Sequence, residues 1–132
     1  KLERYVQQAL TAYRKTRDTV RIFCDGEDVE LQPQQILYAE MSARKVCLHL
    51  QGAERDLLYT TATMADLADL LENHGFVRTH KSILVNMEHI RDLQSTRLYL
   101  RDGTELPVSS HTASAVRKIY TQWRSAKKWV IG

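Results

Sequence analysis

The sequence has no long apolar run and only two cysteines, and each shortage excludes a class of protein. No apolar stretch approaches the roughly 20 residues needed to span a bilayer, and no signal-peptide pattern opens the chain. Cys24 and Cys47 each lie in an apolar, strand-like run, where a thiol behaves as a small hydrophobic group. A disulfide scaffold is therefore excluded, one disulfide stays open, and a reducing cytoplasm is the simplest compartment.

Motifs for metal binding or catalysis are also missing. The five glycines are scattered singly, so there is no glycine-rich phosphate loop. The five histidines are His49, His74, His80, His89 and His111. They have neither an i, i+4 pair nor a nearby Cys-x-x-Cys, so we expect no bound metal or cofactor. Ser82 follows His80 by two residues, but no nucleophile-elbow pattern surrounds it. A hydrolase using this pair is a weak rival to a non-enzymatic function.

What the sequence does contain is enough apolar material for one compact domain and an uneven distribution of charge. Hydrophobic residues make up 43% of 132 residues, and the formal net charge is +3. No acidic residue follows Glu105, while five basic ones do, so residues 1–105 carry −2. A basic end on a weakly acidic body indicates a polyanion partner or a solvated tail.

The hydrophobic periodicity predicts a mainly β fold. Apolar residues at three- and four-residue steps predict a helix over residues 2–16, and alternation from Val20 onward predicts strands. Asp-Gly pairs at residues 25–26 and 102–103 mark two hairpins. Thr63, with Asp66 three residues later, predicts a cap and a partial capping box for a short internal helix, and a second helical pattern starts at Thr112. We therefore expect short antiparallel sheets, one internal helix and a helix at each end.

Three polar loops lie between the predicted apolar strands. They combine cations with small hydroxyls that suit phosphate oxygens and base edges, and they span residues 42–45, 78–82 and 109–112. For any one of them, an ordinary solvated loop is the simpler reading. Three in one small β domain, together with the basic end, favour a nucleic-acid partner.

The stretch from Phe76 to Asn86, FVRTHKSILVN, followed by Ile90, resembles the signature of the LytTR DNA-binding domain, F-x-R-x-H-[RKN]-S-x-[LV]-V-N. The stretch at residues 36–40 is similar to the family's I-x-Y-x-E strand, and residues 102–109 are similar to its final D/N-G-x-x-x-P-V-S element. The resemblance covers about residues 19–120. It implies short antiparallel sheets, no enzymatic activity, and loops that read successive major grooves of double-stranded DNA.

The resemblance also implies a set of DNA contacts, carried over by position. They come from the loop after the Y-x-E strand, from the H-[RKN]-S segment and from the residues after V-S: Arg44 or Lys45, His80 and Lys81, and Ser110 or His111. Arg78 is implied as a phosphate or structural partner, and Asn86 as a turn-stabilising residue. Many members have arginine where this chain has Ser110. The resemblance therefore implies one of three alternatives at this loop: a DNA contact weaker than that of arginine, a pH-sensitive contact through His111, or a contact made by Arg117 instead.

The family further implies an arrangement of domains and partners. Residues 1–18 would be a linker helix from a missing receiver or sensor domain, residues 19–120 the DNA-binding domain, and residues 121–132 a basic C-terminal helix end or tail. Such domains serve bacterial response regulators, and two copies act together on paired direct repeats. The rival is a protein-interaction module that uses the basic tail and N-terminal helix without binding DNA.

Overall fold

A computed structural model describes the backbone of residues 19–131 and the side chains of residues 19–126. The predicted linker helix within residues 1–18 lies outside this range. The described part contains ten strands and two α-helices besides short 3-10 turns: β1 (Val20–Cys24), β2 (Glu27–Leu31), β3 (Ile36–Ser42), β4 (Lys45–Leu50), β5 (Leu57–Thr60), α1 (Met64–Leu71), β6 (Phe76–His80), β7 (Ile83–Asn86), β8 (Ile90–Leu93), β9 (Arg97–Leu100), β10 (Glu105–Pro107) and α2 (Ala113–Ile131).

Two antiparallel sheets organise the described residues. Seven strands pair in the order β2-β1-β5-β4-β3-β7-β6, and three form a smaller sheet in the order β10-β9-β8. The predicted mainly β fold with short antiparallel sheets and an internal helix is confirmed. The pairing of β7 with β3 joins two hairpins that are distant in sequence.

One face of the large sheet packs against α1. Alternation in β1 turns Val20, Ile22 and Cys24 toward this face, and α1 contributes Leu67 and Leu71, which are at most 1% exposed. Complete burial of a leucine side chain contributes about 1.5–3 kcal/mol, so this contact fixes α1 on the sheet.

The predicted capping box begins α1. The Thr63 hydroxyl accepts a hydrogen bond from the Asp66 backbone N–H at 3.0 Å, and the Asp66 carboxylate accepts one from the Thr63 N–H at 3.4 Å. A 3-10 turn, Glu72–His74, then leads to Gly75, whose φ of 85° ends the helical segment.

The other face of the large sheet packs against the small sheet and α2. Val77, Ile83 and Val85 belong to this second core, together with Leu98 of β9 and Val116 of α2. Helix α2 begins at Ala113, as the pattern from Thr112 predicted, and continues through residue 121 to Ile131. The proposed boundary between the domain and its tail therefore falls inside a helix, and the division itself stays a prediction.

Both Asp-Gly pairs form the predicted hairpin turns. Asp25 and Gly26 have φ values of 51° and 89°, and they connect β1 with β2. Asp102 accepts a hydrogen bond from the Thr104 N–H at 2.9 Å in the turn between β9 and β10. This bond keeps the pKa of Asp102 below its usual value.

Candidate nucleic-acid interface

The first polar loop, loop A (residues 42–45), is the tight turn between β3 and β4. Ser42 and Lys45 pair across it, leaving Ala43 and Arg44 at the tip. Ala43 has a φ of 55°, which is unusual for a residue with a Cβ atom. Arg44 and Lys45 are both exposed, so their cationic groups extend from the end of the sheet into solvent.

The second, loop B (residues 78–82), connects β6 with β7 and is closed by its own side chains. The guanidinium of Arg78 donates from Nη2 to the carbonyl oxygen of Lys81 at 2.6 Å. This bond uses one of five guanidinium N–H donors and leaves the others available. Arg78 and Lys81 are exposed, and His80 is half-buried.

The hydrogen bonds of loop B set the tautomer of neutral His80. The Ser82 backbone N–H donates to Nδ1 of His80 at 3.2 Å, and the Ser82 hydroxyl lies 3.0 Å from the same atom. A backbone N–H can only donate, so Nδ1 accepts and the ring proton resides on Nε2. His80 therefore has its N–H donor at Nε2.

In the described part of the chain, the contact between Ser82 and His80 lacks the third group of a nucleophilic triad. Nδ1 already accepts from the Ser82 backbone, and within residues 19–126 no carboxylate orients the ring through Nε2, as the base of a nucleophilic triad requires. The bond is explained as a local turn contact between residues two apart.

The third, loop C (residues 109–112), joins β10 to α2. The Thr112 N–H donates to the Ser109 carbonyl at 3.0 Å, and the His111 N–H donates to the Ser109 hydroxyl at 3.3 Å. These bonds compact the loop immediately before the first residue of α2. Ser110 and His111 are exposed at its tip.

Hydrogen bonds to backbone carbonyls bring the three loops together at one edge. Loop A adjoins loop B because the Met41 N–H donates to the Ser82 carbonyl at 2.9 Å. Loop C adjoins loop B because the Ser109 N–H and the Thr112 hydroxyl both donate to the Thr79 carbonyl, at 2.8 and 3.1 Å. All seven residues expected from the sequence lie in these loops: Arg44, Lys45, Arg78, His80, Lys81, Ser110 and His111.

Thr79 connects loops B and C, a role that the sequence did not predict. Its side chain is fully buried between two loop residues, and its hydroxyl donates to the Pro107 carbonyl at 3.3 Å. The alternation of apolar and polar residues in β6 indicates that Thr79 is buried. This pattern does not indicate which loop the Thr79 side chain contacts.

The cations of the three loops have no carboxylate partners in the described part of the chain. The ion pairs there join Asp25 to Arg55 and Glu105 to Arg97, and the Glu40 carboxylate contacts Nε2 of His49 at 2.9 Å. The loop cations are therefore available to pair with an external anion. Among residues 19–126, no group of three or more histidine, cysteine or acidic side chains is arranged to hold a metal ion.

The fold and the loop edge define a mainly β domain that presents cationic, hydrogen-bonding loops side by side. A family model described as the LytTr DNA-binding domain matches residues 26–121. The chain belongs to this family.

One curated protein and one solved structure are similar to this chain. The chain is 27% identical to the sensory transduction protein LytT of Bacillus subtilis (strain 168) over 137 aligned positions, which cover 89% of this chain and 55% of LytT. The chain thus spans about half the length of this curated relative. Its fold is similar to that of a solved LytTr DNA-binding domain from Bacillus cereus, with a TM-score of 0.65, 24% identity, and coverage of 76% of this chain and 94% of that one.

Helices in the described residues do not meet the requirements of a transmembrane segment. None combines sufficient length with sufficient apolar character.

Proposed function

We propose that this domain recognises a specific double-stranded DNA sequence through loops A, B and C and regulates transcription as the output domain of a two-component response regulator. DNA binding and transcription regulation follow from the family. The finer assignment, loops inserted into the major groove, rests mainly on one observation: four exposed cations without carboxylate partners share an edge built from three hydrogen-bonded loops. The cations are Arg44, Lys45, Arg78 and Lys81.

The chemistry of loop B supports base recognition at its tip. The Nε2–H of His80 is a donor suited to guanine N7 or O6, or to a phosphate oxygen. Lys81 has three donors and no side-chain partner in the described structure. Arg78 is bound to the Lys81 carbonyl, and we assign it to phosphate contact and loop support.

Loops A and C would extend the contact on either side. Arg44 or Lys45 would meet phosphates or guanine edges, and Ser110 or His111 would contact the DNA where many relatives have arginine. We further propose that two copies bind a paired repeat, that a receiver or sensor domain acts together with this domain, and that the protein is cytoplasmic.

A gel-shift series on an enriched duplex tests the assignment. We expect His80→Ala and Lys81→Ala each to weaken specific binding by about 1–3 kcal/mol while the fold persists, because each removes a donor at the tip of loop B. Arg21→Ala is the control, since Arg21 is exposed on β1, away from these loops. Unchanged binding by both loop variants would refute the assignment.

A protein-interaction module is the second candidate. It draws support from an apolar strip on β1 and β5, where Phe23 is 54% exposed and Leu57 is 42% exposed. Salt separates the two functions, because neutralising several phosphates makes DNA affinity fall steeply as salt rises. No enrichment from a random duplex pool at low salt would favour the interaction module.

A further inference from the structure

A groove of about 380 Å³ lies between β8 and α2, beside the loop edge. We call it the arginine groove, and it is lined by Arg91, Asp92, Leu93, Arg117, Tyr120, Thr121, Arg124 and Ser125. Three guanidinium groups and one carboxylate give it a formal charge of +2. Hydroxyls from Thr121 and Ser125 add hydrogen-bonding groups suited to phosphate oxygens.

The three guanidinium groups are supported without being neutralised. Arg91 lies over the ring of Tyr99 at 5.9 Å, and Arg124 lies over the ring of Tyr120 at 5.5 Å. Contact through the face of a guanidinium leaves its in-plane N–H donors available. Arg117 donates to the Leu93 carbonyl at 3.5 Å, which is long for a hydrogen bond.

No carboxylate neutralises these arginines in the described part of the chain. The ion pairs found there involve Arg55 and Arg97 instead. Asp92 is the acidic side chain within the groove, and it accepts a hydrogen bond from the Gln94 side chain at 3.0 Å. The negative charge of Asp92 opposes anion binding, and a substitution at Asp92 can remove it without changing the arginines.

The groove extends along one face of α2. Arg117, Thr121 and Arg124 follow i, i+4 and i+7 spacing, so the two arginines are about 10 Å apart along the helix axis. Double-stranded DNA carries one charge per about 1.7 Å of its own axis, so arginines with this separation can meet different phosphates.

Loop C and the groove are contiguous. The Val108 N–H donates to the Thr96 carbonyl at 2.9 Å, which fixes the β8–β9 turn next to loop C. On the β8 side the groove is lined by Leu93, just before that turn. On the α2 side it is lined by Arg117, five residues after loop C ends. A DNA backbone held at loop C therefore has a cationic path continuing along α2.

We infer that the arginine groove binds the phosphodiester backbone of DNA flanking the sequence contacted by loops A, B and C. This inference rests on the proposed function and adds a separate phosphate-binding site to it. An acidic peptide would also suit the charge, but continuity with the loop edge favours DNA.

The test compares Arg117→Gln and Arg124→Gln with Lys118→Gln by measuring affinity against salt. Lys118 is an exposed cation on the same helix that does not line the groove, so it controls for loss of one charge. Each groove variant should lower the magnitude of the slope of log affinity against log salt concentration by about 0.9. If affinities are equal at 1 M salt, this change makes binding at 0.1 M salt roughly eightfold weaker. Lys118→Gln should change both quantities much less.

Two further comparisons give effects of opposite sign. Asp92→Asn should strengthen binding, because it removes the negative charge of the groove. Trimming the flanks of the duplex should weaken the unmodified chain but leave the Arg117→Gln, Arg124→Gln double variant nearly unaffected. Equal flank dependence for both chains, or equal salt slopes for the groove variants and Lys118→Gln, would overturn the inference.

The same measurements separate failure here from failure of the proposed function. If the unmodified chain enriches no duplex at low salt, the proposed function fails and the groove inference fails with it. If specific binding persists and depends on His80 and Lys81 but not on the groove, only the groove inference is wrong. Binding of an acidic peptide at the groove with no flank effect would identify the other class of partner.

Discussion

Asn86 ends the signature stretch, but its side chain is directed into the protein. Its amide nitrogen donates to the carbonyls of Pro33 and Ile36 at 3.1 and 3.0 Å, and its amide oxygen accepts from the Glu88 N–H at 3.0 Å. The side chain is 2% exposed. Asn86 thus ties the end of β7 to the start of β3, as its expected turn-stabilising role implies.

Replacing Asn86 should destabilise the domain. Asn86→Ala removes all three bonds and leaves buried carbonyl groups unsatisfied, so we expect the free energy of unfolding to fall by about 3 kcal/mol. Urea denaturation measures this change. Asn73→Ala is the control, because Asn73 is exposed and its replacement should alter stability by less than about 0.5 kcal/mol. Similar stabilities for the two variants would contradict the role assigned to Asn86.

The cysteines illustrate a different consequence of burial. Both are free thiols. Cys24 and Val46 each pair with Thr60, so their side chains lie on the same face of the sheet. Cys47 follows Val46 in β4, and its side chain therefore lies on the opposite face. Burial, with a smaller contribution from Asp25, raises the pKa of Cys24 to about 11. Burial is also the main cause that raises the pKa of Cys47.

We expect the native protein to resist alkylation by iodoacetamide at pH 8, since the reactive thiolate is scarce and both thiols are buried. The unfolded protein should react at both cysteines. Because the folded-state pKa of Cys24 is raised, its contribution to stability is full below pH 9, the ordinary thiol value, and is lost as pH rises toward about 11. Mass spectrometry counts the adducts, and rapid labelling of the folded protein would contradict this account.

At the scale of elements, Gly75 connects the end of α1 to the packing of α2. Its φ of 85° is in the left-handed region, and a Cβ atom added there would lie 2.9 Å from Nε1 of Trp123. Gly26 has a similar φ of 89° but open space around it. The two glycines therefore share a backbone requirement and differ in side-chain crowding.

Gly75→Ala should cost more stability than Gly26→Ala. Both substitutions incur about 1–2 kcal/mol of backbone strain, and the first adds overpacking of about 1–3 kcal/mol against Trp123. Thermal unfolding of the two variants gives the difference. If both variants lose the same stability, the approach of α2 to Gly75 is not a constraint on the fold.

Local elements were the part of this fold that could be predicted from the sequence. The Asp25-Gly26 turn and the Thr63–Asp66 capping box depend on residues close together in the chain, and both formed as expected. The insertion of β5 between β1 and β4 was not predictable in this way. Strand order depends on contacts between distant segments, which alternation within one strand does not specify.

At the scale of the whole molecule, the candidate site is a product of strand order. Loop A adjoins loop B only because β3 pairs with β7, and loop C adjoins loop B through the buried Thr79. Periodicity identified three separate polar loops, and the family signature implied a common role for them. The arginine groove was not anticipated as a site, because Arg91 and Arg117 lie in different elements and meet only after the small sheet packs on α2.

Charge is also separated across the molecule. The edge strand β2 carries Glu27, Asp28 and Glu30, while the loop cations lie toward the other side of the same sheet. This separation would orient the domain as it approaches DNA. We expect its association rate constant to fall steeply with ionic strength, and stopped-flow measurements across a salt series test this. A rate constant independent of salt would contradict electrostatic steering.

The central claim, that loops A, B and C form the DNA-binding edge, is tested most directly by amide chemical-shift mapping with an enriched duplex. The account predicts the largest changes at residues 42–45, 78–82 and 109–112, with smaller changes along the α2 side of the arginine groove. Changes concentrated at Phe23, Leu57 and Tyr59, with the three loops unaffected, would contradict it.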